Sequence, residues 1–361
     1  MVNFKNVILV VRGCSKPACL LIPILLLAFF GTSVAQQHRL LFHAVGVNEG
    51  LSHNSVYSLL QDKSGYVWAG TADGLNRYDG RQVKVYRPAD AMQNAEAAYI
   101  RNRLVEDKQG NIWYVCYTGI YCLNKKLDRL ERKLELKSLT ALYFLDRNGV
   151  LWLHDLNRGI VSYNIFTGKT VLYPYPFSFE YSRYRNLRVT TDDRQFLWVS
   201  LYDNGTYYRF DVNSKKYKEL RYKDKITLMA CEGSRLWLSD DKAVDVFDAA
   251  QMRLFSSVKW KGGSLSKAKL LRDSKGHVFI SAHSYGLYCV DDKGNILDSH
   301  QRDSYVSNTI PSDNVTDIIE DRSGNLWVST DAGGIAYADL KTPPFGKFPL
   351  DERDHPQLKD F

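Results

Sequence analysis

Along the chain, short apolar runs of strand length alternate with polar clusters rich in Gly, Asp, Asn and Ser, and the spacing of an amphipathic helix is hard to find. The clearest example is Asp62-Lys-Ser-Gly65-Tyr-Val-Trp68-Ala-Gly-Thr71-Ala-Asp-Gly74-Leu-Asn-Arg-Tyr78. Tyr66 to Thr71 is apolar, aromatic and β-branched, which predicts a buried strand. Gly65 and Gly74 flank it where tight turns need positive φ. Three strands cannot bury both faces of their own sheet, so the stretch predicts further copies of itself.

Six copies follow. They are centred on Asp107-x-x-Gly110-Asn-Ile-Trp113, Asp146-x-x-Gly149-Val-Leu-Trp152, Asp192-Asp-Arg-Gln195-Phe-Leu-Trp198, Gly233-Ser-Arg-Leu-Trp237, Asp273-x-x-Gly276-His-Val-Phe279 and Asp321-Arg-Ser-Gly324-Asn-Leu-Trp327. Gln195 replaces the turn glycine in the fourth. The fifth is one residue shorter in its turn and lacks the second glycine. The sixth has Phe in place of Trp. The aromatic position recurs at intervals of 45, 39, 46, 39, 42 and 48 residues and takes six of the seven tryptophans, leaving only Trp260. Each copy predicts four strands, a to d. Strand a ends at the Asp turn, strand b carries the aromatic, strand c starts at the second glycine, and strand d follows, as in Val83–Tyr86 or Thr170–Tyr173. Such units predict an all-β, seven-bladed β-propeller of four-stranded antiparallel blades. Trp68, Trp113, Trp152, Trp198, Trp237, Phe279 and Trp327 are then the structural anchors between blades. The seventh copy lacks a strand d, and Leu40–Val45 stands spare before the first. The N-terminal strand is therefore expected to complete the last blade and leave no open sheet edge. Phe345–Leu350 competes for that place, interrupted by Gly and Pro.

The N-terminus has a different character. Lys5, Arg12 and Lys16 precede an apolar run from Cys19 to Phe30, and Ser33-Val34-Ala35 offers small residues for cleavage. The expected organisation is a signal peptide at 1–35, a propeller at 36–345 and a polar C-terminal tail at 346–361 that begins a second propeller or linker. The run is short for a membrane span. Past residue 35 the chain holds 45 basic and 40 acidic residues, scattered, so nucleic acid is not an expected partner. Export permits disulfides, and Cys116 and Cys122 lie on consecutive predicted strands. A bridge and a pair of buried free thiols both remain open. No Cys-x-x-Cys pair occurs, and no metal or cofactor is expected.

Gly50-Leu-Ser-His-Asn-Ser-Val56, followed by Asp62 to Tyr78, closely resembles the two-component regulator propeller repeat, over seven copies between about 40 and 340. The resemblance is strongest in copies one, two and seven. It implies the periplasmic sensor region of a hybrid two-component system histidine kinase of Bacteroides type, which detects glycan-derived oligosaccharides. It also implies partners: a second propeller or the rest of a sensor kinase, and a homodimer. No kinase phosphoacceptor or ATP-binding motif is present in these residues, so the chain reads as the N-terminal propeller of such a sensor. The alternatives are a stand-alone secreted interaction propeller and a propeller lyase or glycosidase. The Asp-x-Ser-Gly-x-x-Trp turn also resembles the Asp-box of sialidases, which is a structural turn.

Strand order places the b–c loops and the d-to-a crossovers on one face of the disc. Asp73, Tyr117, Asp155, Asn157, Tyr202, Asp203, Asn204, Asp240, His283, Tyr285 and Asp331 converge there. The crossover at 173–185 is dense in aromatics and arginine. Sugar faces stack on aromatic rings, and Arg grips carboxylate or sulfate through two parallel hydrogen bonds. The expected ligand contacts are Tyr175, Tyr181, Arg183, Arg185, Tyr202, Asp203, Asn204, His283 and Tyr285. Catalysis would need two facing carboxylates. The adjacent pairs Asp192–Asp193, Asp240–Asp241 and Asp291–Asp292 read as turn or solvated residues, because strand neighbours point to opposite faces.

Overall fold

The computed structural model describes residues 40–341 except 90, 102, 137–139, 156–157, 178–186, 192–195, 202–204, 223–227 and 267. The expected leader 1–35, the tail 346–361 and the rival closing strand 345–350 lie outside the described residues. Strands dominate, with short 3-10 turns at Val47–Glu49 and Ala95–Ala97. They form seven four-stranded antiparallel sheets, each in the order a-b-c-d. The chain is thus a seven-bladed β-propeller. Among the described residues no helix is long and apolar enough to cross a membrane.

Burial follows the strand order. Strand b is buried throughout in blade one (Val67–Thr71), blade two (Ile112–Cys116) and blade six (Val278–Ala282). Strand d is mostly exposed, as at Thr170–Pro174 and Lys216–Arg221. A strand covered on both faces must be apolar at every position, which is why Tyr66 to Thr71 shows no polar alternation.

Seven hydrophobic clusters fill the seven gaps between blades. Trp68 packs with Ile112 and Tyr114 of blade two, and Trp113 with Leu151 and Leu153 of blade three. Trp152 meets Leu197 and Val199, Trp198 meets Leu236 and Leu238, and Trp237 meets Val278 and Ile280. Phe279 meets Leu326 and Val328. Trp327 closes the circle against Val67 and Ala69 of blade one. Successive strand residues point to opposite faces. Each strand b therefore sends its large aromatic forward and receives the previous blade's aromatic on its smaller neighbours.

In four of the turns the Asp fixes that aromatic. Asp62 accepts from the Tyr66 amide (3.0 Å), the Trp68 indole (2.7 Å) and the Lys125 ammonium of blade two (2.7 Å). Burial works against its charge, but these donors outweigh it and hold the carboxyl below its ordinary range. Asp107, Asp146 and Asp321 likewise accept from Trp113, Trp152 and Trp327. The fifth turn has no such Asp, and the Trp237 indole nitrogen is buried with no hydrogen-bond partner. In blade six Phe279 has no donor, and the His277 ring nitrogen takes its place on Asp273 at 2.8 Å. Asn111 and Asn325 stand at the same turn position and also donate to their Asp. His277→Asn is therefore expected to leave stability within about 0.5 kcal/mol, whereas His277→Ala should cost about 1 kcal/mol. Thermal melts of the two variants check this; equal losses would deny His277 the role.

The N-terminal strand completes blade seven. His43–Val45 pairs antiparallel with Gly334–Asp339, with Ala44 opposite Ala336. Gly334 heads that strand c at φ +80°, so close to the Val45 carbonyl that any Cβ would collide with it. In blade five, which has no glycine there, Asp241 adopts the left-handed conformation before strand c (φ 66°).

Cys116 and Cys122 are both buried free thiols. Register opposes Cys122 to Trp113 and Cys116 to Gly119. The two thiols thus sit on opposite faces of the sheet, Cys116 between blades one and two and Cys122 between blades two and three, which rules out a bridge.

Candidate functional site

The face formed by b–c loops and d-to-a crossovers carries an aromatic nest between blades one and two. Strand a of blade one, Val56–Gln61, pairs Val56 with Thr71 and Ser58 with Gly70, so Tyr57 is the extra residue of a bulge. Bulges re-aim a side chain. Tyr99 and Arg101 come from the crossover into blade two. Their shared neighbour Ile100 is buried in the cluster between the blades, and its amide donates to Thr71 O at 2.9 Å. Residues flanking an inward side chain in extended chain point away from it, and Tyr99 and Arg101 both meet Tyr57. The Tyr57 and Tyr99 ring centroids lie 5.4 Å apart, and the Tyr99 hydroxyl donates to that of Tyr57 at 3.2 Å. Tyr117, from the b–c loop of blade two, stacks on Tyr99 at 6.0 Å and 18°. The Arg101 guanidinium lies 5.7 Å from the Tyr57 ring and 5.9 Å from the Tyr99 ring.

Electrostatics keep these groups in one state. Burial, the Tyr99 phenol and the Asp331 carboxylate push the Tyr57 phenol up to about 12, so it stays protonated. Burial works against charge on Arg101, and the Tyr117, Tyr99 and Tyr57 phenols more than offset it, leaving its pKa above the ordinary value.

Gly70 makes the nest possible. A Cβ there would come within 2.7 Å of both Ile100 Cγ2 and Ser58 Oγ. At the same position, two after the aromatic, the other blades carry Val115, His154, Ser200, Ser239, Ser281 and Ser329. Glycine inside a strand marks a close approach of chain, and that was the available signal for this site. Sequence reading selected Tyr117 and Asp331 but missed Tyr57, Tyr99 and Arg101.

The other expected residues are placed differently. Tyr175 is 8% exposed and packs between blades three and four, stacked on Phe177 at 4.8 Å and edge-on to His154. It does not face solvent. Tyr181, Arg183, Arg185, Tyr202, Asp203, Asn204 and Asn157 lie outside the described residues. Tyr285 is 43% exposed, on the far side of the ring from the nest, with its ring laid over Gly263. His283 is exposed beside it. Asp73 is held by Arg87 through two hydrogen bonds, at 2.9 and 2.6 Å. Asp155 is buried and accepts from Arg158 at 2.8 Å.

Two of the three carboxylate pairs belong to turns. Asp240 accepts the amides of Lys242 and Ala243, and Asp241 accepts that of Leu265. Asp291 accepts from Lys293 and Asn295. Asp192 and Asp193 lie outside the described residues. Among the described residues no group of His, Cys, Asp and Glu could hold a metal ion.

The family described as two component regulator propeller matches at residues 50–73 and 309–332. These are the stretches on either side of the ring closure. A 65-residue segment is 42% identical to histidine kinase P4 of Formosa agariphila; it amounts to 18% of this chain and 5% of that protein. Among solved structures, the chain matches an extracellular domain assigned to a hybrid two-component system of B. thetaiotaomicron, with TM-score 0.64 and 19% identity. The match covers 85% of this chain and 42% of that one. A catalytically inactive virginiamycin B lyase from Staphylococcus aureus shares the fold at TM-score 0.64 and 13% identity, over 84% of this chain and all of that one. The chain thus spans less than half of the sensor extracellular domain it matches.

Proposed function

We propose that this chain, a propeller carrying two-component regulator propeller repeats, is the ligand-sensing part of a hybrid two-component regulator and binds a glycan-derived oligosaccharide. Residues 1–35 act as the export signal, 36–345 form the periplasmic sensor and 346–361 lead onward. The partner is the remainder of a sensor kinase or a second propeller, with the sensor acting as a dimer. The observation that carries the ligand reading is the nest of Tyr57, Tyr99, Tyr117 and Arg101. Three rings from three separate elements meet on the loop face, with the Tyr57 and Tyr99 hydroxyls bonded to each other and no role as a blade anchor. Phenol rings offer a sugar both a stacking surface and hydrogen-bonding hydroxyls.

The site is distinct from the scaffold, so binding and folding can be separated. Titration calorimetry of the protein against glycan oligosaccharides of two to six sugars tests it. Tyr57→Ala and Tyr99→Ala are each expected to weaken binding at least about 10-fold, as removal of a central aromatic contact does. Binding unchanged in both variants would place the ligand elsewhere or deny it.

A further inference from the structure

We infer that the oligosaccharide held at this nest carries an acidic group, a carboxylate or a sulfate ester, and that Arg101 grips it; this rests on the oligosaccharide reading above. Three other described arginines of this face have protein partners. Arg87 is bound to Asp73 by two parallel bonds. Arg158 is bound to a single oxygen of Asp155, at 2.8 and 2.7 Å. Arg103 donates to the Tyr143 carbonyl. Arg101 differs from these three: the strongest influences on its charge are burial and the phenols of Tyr117, Tyr99 and Tyr57. Among the described residues no carboxylate lies within ion-pairing distance of it. Among these residues it is a guanidinium without an ion-pair partner, framed by rings at the exposed edge of the site.

The Tyr57 and Tyr99 rings hold the planar guanidinium, and the Tyr117 side chain takes one of its hydrogen bonds. Rings attract it through their faces, and this leaves N–H groups for a bidentate acceptor. Carboxylate and sulfate oxygens have the spacing that fits such a fork. The phenol chain completes the match. The Tyr57 and Tyr99 hydroxyls, bonded to each other at 3.2 Å, stand beside the guanidinium as hydrogen-bonding groups for the ligand. The arrangement offers rings for a sugar face, hydroxyl groups and one cation. The nearby Asp331 acts on Tyr57, and it opposes an acidic group on that side. The acidic group is therefore seated at the Arg101 end.

Three trisaccharide probes of equal length test the inference by titration calorimetry on the full chain: trigalacturonate, the same compound as its methyl ester, and a 6-sulfated galactotriose. The acid or the sulfate is expected to bind about 10- to 100-fold more tightly than the ester, the range of a charge-assisted bidentate pair. Which of the two binds identifies the source of the charge. In Arg101→Gln the acid or sulfate should lose that advantage over the ester. Arg101→Lys should restore part of it as a point charge. Equal binding of ester and acid by the wild type would overturn the acidic ligand and leave the oligosaccharide reading standing. A preference for the acid that persists in Arg101→Gln would overturn the role of Arg101. Failure of a normally melting protein to bind any of the three would overturn both readings.

Discussion

Trp152→Ala is expected to cost about 3–5 kcal/mol of folding stability, the usual loss for a large aromatic removed from a packed core. The residue is 1% exposed at the gap between blades three and four. Phe144, Tyr173 and Phe210 surround its ring at 5.9–6.4 Å, and the Lys215 ammonium stands 4.2 Å from its centroid. Its indole N–H donates to Asp146 at 2.9 Å. Trp152→Phe separates the two contributions. It keeps most of the ring area and loses the bond to Asp146, so about 1 kcal/mol is expected, and blade six already lives with Phe279. Urea denaturation followed by circular dichroism measures both variants. If Trp152→Ala unfolds at the wild-type midpoint, the anchor assignment fails. Trp198→Ala should behave alike, because it fills the next gap in the same manner.

Acid should weaken the fold in two stages, and His154 sets the first. It is 5% exposed, and its Nε2 is buried without a partner. Burial pushes its pKa down from 6.5 to about 4, against a weaker opposing pull from Asp155. The folded state keeps this imidazole neutral, while the unfolded chain protonates it below pH 6.5. Its contribution is therefore full above pH 6.5 and is lost as pH falls towards 4. About 2.5 pH units at about 1.4 kcal/mol each amounts to about 3.5 kcal/mol. The second stage belongs to Asp62 and Asp321, both held below the ordinary value of 3.8 by hydrogen bonds that outweigh burial. Their contribution is present above 3.8 and is lost as pH falls below it. His154→Leu removes the titrating group and should flatten stability between pH 6.5 and 4 while leaving the loss below 3.8. Chemical denaturation at pH 7, 5.5, 4.5 and 3 reads this directly. A variant with the wild-type slope between 6.5 and 4 would assign that slope to other groups.

The blade count, the strand order within a blade and the seam at Leu40–Val45 were legible because the repeat carries its own punctuation. A turn glycine, an Asp and a Trp at fixed offsets are local requirements, each met within about ten residues of chain. Even the faults in the pattern had readable consequences. The missing Asp of the fifth turn leaves Trp237 without a partner, and Phe279 is compensated by His277 two residues before it. The nest was only half legible. Tyr117 and Asp331 sit on b–c loops that the strand order alone sends to one face. Tyr57 reads as an ordinary strand residue, and only the bulge opposite Gly70 and Thr71 turns it towards Tyr99.

The sequence by itself determined the scaffold, since period, turn residues and apolar runs specify a blade, and seven blades cover one another's faces. It also marked the loop face as the place where the copies differ. Tertiary structure decided what that face presents. Tyr175 carried the same aromatic signal as Tyr99, yet it went into the packing of blades three and four beside His154, while Tyr99 went to the surface over Tyr57. The physical reason is that a blade's internal bonds are local, whereas a side chain in a crossover is positioned by whichever neighbouring blade leaves room for it. At Gly70 that room is the width of one missing Cβ.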